Sequence, residues 1–261
     1  MIISELNKYS SVNLSQLESK HLMKRFDTKF VVNEDACVSL LKSAHLLYDI
    51  LEIDGQNVFE YHTSYFDTDS FDMYHDHHNK RSLRFKVRER TYESGESYLE
   101  IKRKENSGKT IKNRIERNKY SKHLSTIEET FIEQACPYKP IYLSQKLSNS
   151  YKRITLVHKF KNEKITIDFN ISFQADNSFV QPLKNSFVIE VKQEKKSINS
   201  PFIQILKKRN IREISFSKYC IGASLLYPKL KQNRFKKTIN TISKTEHFLP
   251  KRENNDVFKL V

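Results

Sequence analysis

In 261 residues Lys and Arg outnumber Asp and Glu by 46 to 31, a formal net charge of +15 that calls for an anionic partner, and 38% hydrophobic residues leave enough apolar surface for a sizeable core. Only four glycines are present, which excludes a Gly-rich phosphate loop or a dinucleotide fingerprint, so any phosphate has to be held by side chains. Cys37, Cys136 and Cys220 lack metal-ligand spacing and read as reduced, buried thiols. No stretch approaches the roughly 20 apolar residues of a membrane span, and the N-terminus lacks a signal peptide's basic start and apolar core, so the expected location is the cytoplasm.

Residues 1–20 read as an arm or short polar helix. A strand is predicted over Lys24–Val32, followed by an amphipathic helix capped by Asn33 and running through Asp49, with Val38, Leu41, Leu46 and Leu47 as its apolar stripe. A strand over Phe59–Asp67 leads into the turn-like Asp67-Thr68-Asp69-Ser70. His75, His77 and His78, in the connection that follows, read as a solvated loop in preference to a metal site. Three strands at about 82–92, 97–105 and 110–118 are joined by hairpin turns short enough to force antiparallel neighbours. Helices at about 125–135 and 140–150 precede a hairpin at 151–160 and 163–171, a strand at 186–193, a helix opened by Ser200-Pro201 and a closing helix over Ser217–Tyr227. The chain thus divides into an arm (1–20), one domain (21–228) and a basic tail (229–261), and the fold class is α+β, mainly antiparallel β.

Five of the strands alternate apolar residues with charges. In Leu83-Arg84-Phe85-Lys86-Val87-Arg88-Glu89-Arg90 the even positions are all basic, and strand residues two apart share a face. The pattern returns at Tyr98–Lys104, Lys112–Glu116, Lys164–Asp168 and Val188–Lys192. A solvated sheet face gives the same alternation, but usually mixes signs and includes Ser, Thr, Asn and Gln, because neighbouring like charges repel. Strands closed into a barrel with these cations inward would need a polyanion for stability.

Eight segments, in order, resemble the motifs of VTC-type polyphosphate polymerase domains, a branch of the triphosphate tunnel metalloenzyme superfamily. They are Arg25–Phe30, Tyr65–Thr68, Lys86–Arg90, Tyr98–Lys102, Tyr151–Arg153, Ile165–Asp168, Val188–Lys192 and Phe216–Tyr219, and the resemblance covers roughly residues 20–228. It implies a closed eight-stranded antiparallel β-barrel with flanking helices. It also implies transfer of the γ-phosphate of ATP onto a growing polyphosphate chain, with release of ADP and with Mn²⁺ or Mg²⁺ held by Glu190. By the same resemblance Arg88, Arg90, Lys102, Lys112, Arg153 and Lys218 are the catalytic cations, and Lys29 and Lys164 bind substrate, Lys164 standing where many relatives have Arg. Lys86, Lys104 and Arg114, and with them Arg84 and Lys192, share the proposed inward faces and extend the path. Glu100 and Asp168 point the same way and are expected to pair with neighbouring cations. ATP and polyphosphate are the implied partners, with a membrane-protein subunit as a further one that would place the chain at the inner face of a membrane; no specific nucleic acid is implied. Two alternatives stay open. One is a triphosphatase of the same superfamily, although its usual first metal-binding acid is replaced here by Arg25, ahead of Asp27 and Lys29. The other is a non-catalytic module that binds polyphosphate or another anion.

Overall fold

The structure is a computed structural model that describes residues 2–19, 26–106, 110–117, 124–176 and 178–246. The N-terminal segment holds α1 (Ile2–Leu6), β1 (Ser11–Val12) and α2 (Leu14–Ser19). Then follow β2 (Phe26–Asn33), α3 (Glu34–Ala44), β3 (Tyr48–Leu51), β4 (Phe59–Asp67), α4 (Asp72–His78), β5 (Arg84–Tyr92), β6 (Ser97–Lys104) and β7 (Thr110–Glu116). After α5 (Thr126–Ala135) and a 3₁₀ turn (Pro140–Tyr142) come β8 (Ser144–His158), β9 (Glu163–Ala175), β10 (Ser178–Leu183), β11 (Ser186–Gln193), α6 (Pro201–Lys208), α7 (Lys218–Leu226) and α8 (Lys236–Glu246). Among the described residues no helix is long and apolar enough to cross a membrane.

Eight strands form one path of antiparallel neighbours in the order β2-β11-β9-β8-β4-β5-β6-β7, with β3 and β10 added on β8 and β9. The expected closure of the barrel is not found among the described residues: β2 and β7, the two ends of the path, share no ladder there. On β7 only Ile111 and Ile115 are partly covered, so the strand offers no continuous apolar strip that a seam would bury. The sheet is nevertheless curled, because Lys102 Nζ on β6 comes within 4.0 Å of Asp27 Oδ2 on β2.

Three apolar clusters fix which way each strand faces. Ile154, Leu156, Ile165, Ile167, Ile189 and Val191 bury against Leu40 and Leu41 of α3 and Phe202 and Leu206 of α6. Phe85, Val87, Leu99 and Ile101 meet Met73 of α4 and Ile132 of α5. With those positions committed outward, the alternate residues of the same strands must occupy the inner face. A third cluster places α7 against Leu147, Ile171 and Phe173, and a Cβ at Gly222 of that helix would stand 2.5 Å from the Phe173 ring, so only glycine allows this approach.

Several predicted elements differ. The helix from Asn33 ends at Ala44, since Tyr48–Leu51 is drawn into a ladder with β8. No helix spans 140–150: Pro140 opens a 3₁₀ turn, and from Ser144 the chain alternates as a strand, with Leu147 and Asn149 buried on one face. The histidine segment is helix α4 and not a solvated loop. Its first turn is fastened by Asp67, whose carboxylate accepts from the backbone N–H of Met73 (3.0 Å) and Tyr74 (2.9 Å) and from the Tyr219 hydroxyl (2.5 Å). In the segment read as a basic tail, α8 is seated in the third cluster by Phe235 and Ile242. Lys24, Arg25 and residues 247–261 lie outside the described residues.

Candidate active site

The inner face gathers the cations singled out by alternation. On β5 Arg84, Lys86, Arg88 and Arg90 stand opposite Lys104, Lys102, Glu100 and Tyr98 of β6, and Lys112 and Arg114 of β7 stand opposite Lys102 and Glu100. From the other arm of the sheet come Lys29 and Asp27 on β2, Glu190 and Lys192 on β11, Lys164 and Asp168 on β9, and Arg153 on β8. Lys218, in the first turn of α7, reaches the same space by way of Asp168.

Two buried carboxylates aim the arginines. Glu100 receives Arg88 through Nε and Nη2, each 2.7 Å from Oε2, and also receives Lys112. Burial alone would raise the Glu100 pKa, but Arg88, Arg90 and Lys112 outweigh it and hold the carboxyl at about 2. Asp168 takes Arg153 in a two-pronged pair, Nε to Oδ1 at 2.6 Å and Nη2 to Oδ2 at 2.8 Å, and accepts from Lys218 as well. Burial of Asp168 is again outweighed by Arg153 and Lys218, which keep its carboxyl well below the usual carboxylate range. Both acids therefore pair with cations, as the alternation suggests.

The positive charge of the other cations exceeds what nearby carboxylates match, with Lys112 sharing Glu100 with Arg88 and Lys102 only 4.0 Å from Asp27. Arg90 is buried, makes no ion pair among the described residues, and offers Nε to Thr63 Oγ1 only at 3.5 Å. Lys86 donates to Ser217 Oγ at 2.9 Å, and burial brings its pKa down to about 8. Burial lowers Lys102 to about 7, against the opposing pull of Asp27 and Glu190, and lowers Lys112 to about 8. Lys104 is lowered too, by burial and then by Arg84. Tyrosine faces carry part of the remaining charge: Arg90 and Arg153 lie 5.6 and 5.0 Å from the Tyr61 ring centre, and Lys218 4.1 Å from that of Tyr151. Tyr61 escaped the reading of the sequence, although it alternates with Thr63 and Tyr65 on one face of β4. A register shift opposite Tyr151 puts the extra residue on β9, at Asn170 with a left-handed φ of 52°, and so lets Ile171 and Phe173 share the inner face with Asp168.

The remaining predicted residues divide. Lys29 donates to the Phe216 carbonyl (2.9 Å) and lies 4.0 Å from Glu190, and Lys192 lies 3.2 Å from Glu190 and donates to Thr166 (2.6 Å). Burial would raise the Glu190 pKa, yet Lys192, Lys29 and Lys102 drive it well below the ordinary value. Lys164 donates to the Leu17 carbonyl at 2.7 Å and so ties the N-terminal segment to β9. Arg114 lies over the Tyr98 ring at 4.6 Å, and Arg84 donates to the Arg81 carbonyl at 2.9 Å, near the rim. His77 stacks on Phe235 and is kept neutral, its pKa pushed far down by Lys86 and by burial. Cavities of about 550 and 750 Å³ flank Pro140–Tyr142 on the outside of the sheet, where the buried guanidinium of Arg117 is already matched by Glu89 and Glu128.

The sequence profile of the VTC domain matches residues 24–227, and the chain belongs to that family. Its fold is shared with solved structures of low sequence identity. A candidate adenylate cyclase from Bacillus halodurans superposes with a TM-score of 0.50 at 16% identity, over 73% of this chain and 92% of that one. A candidate adenylyl cyclase from Hippeastrum, described as having a dominant triphosphatase activity, gives a TM-score of 0.45 at 13% identity, over 80% and 98%. The comparison with curated protein sequences gives no match.

Proposed function

We propose that this chain is a polyphosphate polymerase that moves the γ-phosphoryl group of ATP onto the end of a polyphosphate chain and releases ADP. The observation that carries this reading is the inner face itself, where among the described residues buried Arg90 and the desolvated Lys86 have no carboxylate within ion-pair distance and Lys102 has only Asp27 at 4.0 Å, while Arg88 and Arg153 are already aimed by Glu100 and Asp168. Buried cations of this kind are costly unless an anion completes them. A run of phosphates, with a charge at every unit, suits a row of cations spaced along adjacent strands better than a single small anion does.

The donor set fits a hard divalent cation. Among the described residues no three His, Cys, Asp or Glu groups gather, so an ion here would draw on Glu190, with Asp27 diagonally across on β2, and take its other oxygens from water and phosphate, as Mg²⁺ and Mn²⁺ do. When bound, such an ion supplies charge neutralisation at non-bridging phosphate oxygens. Arg88, Arg153 and Lys218 hold the triphosphate, and their charges meet the negative charge spread over the transferred group. The oxygen of the polyphosphate end attacks the γ-phosphorus in line. The bond from that phosphorus to the β,γ-bridging oxygen breaks, and ADP leaves with the electron pair. No general base is needed, because the attacking end is already ionised at neutral pH.

The test is to incubate the protein with γ-labelled ATP and Mn²⁺, with and without a short polyphosphate primer, beside Glu190→Ala and Arg88→Ala, and to size the products. A ladder with matching ADP, lost in both variants, is expected. Free phosphate without a ladder would make the chain a triphosphatase, and binding without turnover would make it a binding module.

A further inference from the structure

Asn149 is buried to 1% exposure in β8, yet neither its Oδ1 nor its Nδ2 has a hydrogen-bond partner. Its position is defined by the ladders: Asn149 stands opposite Thr63 of β4, and Thr63 stands opposite Arg90 of β5. The three therefore lie side by side across adjacent strands, on the inner face they share with Tyr151. Thr63 Oγ1 is the acceptor that Arg90 Nε reaches at 3.5 Å, so the carboxamide and the guanidinium flank one hydroxyl. The Tyr151 hydroxyl, two residues along the strand, is also buried without a partner.

A buried carboxamide with all its polar atoms unmatched lowers stability, and Leu147 and Phe173 beside it show that this part of the strand accepts apolar side chains. An amide kept under those conditions marks a site where stability is given up for binding. We propose that Asn149 is a substrate-binding residue, donating from Nδ2 to a phosphate oxygen of the condensed-phosphate chain that Arg90 holds. A neutral donor adds direction where the neighbouring cations add attraction, and so fixes the rotation of one phosphate unit about the chain. This inference rests on the reading of the inner face as a condensed-phosphate site.

The test pairs calorimetric titration of tripolyphosphate with thermal melting, for the wild type, for Asn149→Leu, which keeps the volume, and for Asn149→Ser, which keeps a polar atom should the leucine variant not fold. The expected result is an affinity about tenfold or more lower, the worth of a hydrogen bond to a charged group, with a melting temperature unchanged or raised in Asn149→Leu. Unchanged affinity in either folded variant would overturn the inference while leaving the condensed-phosphate site intact, and a lowered melting temperature with unchanged affinity would make Asn149 a structural residue. A wild type that does not bind tripolyphosphate would overturn both.

Discussion

Asp168 is the residue on which the geometry of the basic face turns. Its side chain is 3% exposed and holds Arg153 and Lys218 together, so removing it leaves two buried cations facing each other. Asp168→Ala is expected to cost about 3–5 kcal/mol in urea denaturation, the usual penalty for breaking a buried pair, and a loss under about 1 kcal/mol would show that the pairing does not support the fold. The lysines give a second residue-level expectation. With Lys102 at about 7 and Lys86 and Lys112 at about 8, against roughly 10.4 for a solvated lysine, the folded chain binds fewer protons than the unfolded chain between about pH 7 and 10. Stability without ligand should therefore rise with pH across that window, and it is the lower side of the window that loses it. The slope will be shallow, since Lys102 and Lys112 keep 39% and 36% of their side-chain surface open to solvent. Melting temperatures measured from pH 6.5 to 10 check the sign, and a fall across the range would contradict it.

Among the elements, those with a clean period were legible in the sequence and those fixed by distant partners were not. Strands β5, β6 and β11 follow from alternation alone, because one face of each is committed to an apolar cluster. The helix α4 has no apolar stripe to announce it, and its first turn depends on Asp67 from the preceding strand and on Tyr219, which lies 152 residues away from Asp67. The start of β8 reads as part of a helix at about 140–150, and is a strand instead because β4 offers it a ladder from Phe59 to Asp67. The helix α8, rich in lysine, is held by Phe235 and Ile242 against cluster partners that no local pattern reveals. Ile242 is 2% exposed, so Ile242→Ala should cost about 2–5 kcal/mol in chemical denaturation. A cost near zero would return the segment to the status of a tail.

At the scale of the whole molecule, the sequence carries the face but not its closure. Alternation places Arg88, Arg90, Lys102 and Lys112 together because period two leaves no choice of side once Phe85, Val87, Leu99 and Ile101 are buried. Whether β2 meets β7 depends on the curl of the entire sheet and on a seam with little apolar surface, neither of which a local pattern encodes. The same holds for Asn149, whose isolation becomes visible only when Thr63 and Arg90 are set beside it.

Arg90, Lys86 and Lys102 of the inner face form a site for condensed phosphate in the proposed function. Calorimetric titration of the wild type and of Arg90→Ala with tripolyphosphate and with orthophosphate, at pH 7 and pH 8.5 and in buffers of different ionisation enthalpy, tests it most directly. Tripolyphosphate should bind much more tightly than orthophosphate, with binding greatly weakened in Arg90→Ala, tighter at pH 7 than at pH 8.5, and accompanied by proton uptake as Lys86, Lys102 and Lys112 become charged. Equal affinity for the two anions, or binding unaffected by loss of Arg90, would contradict it.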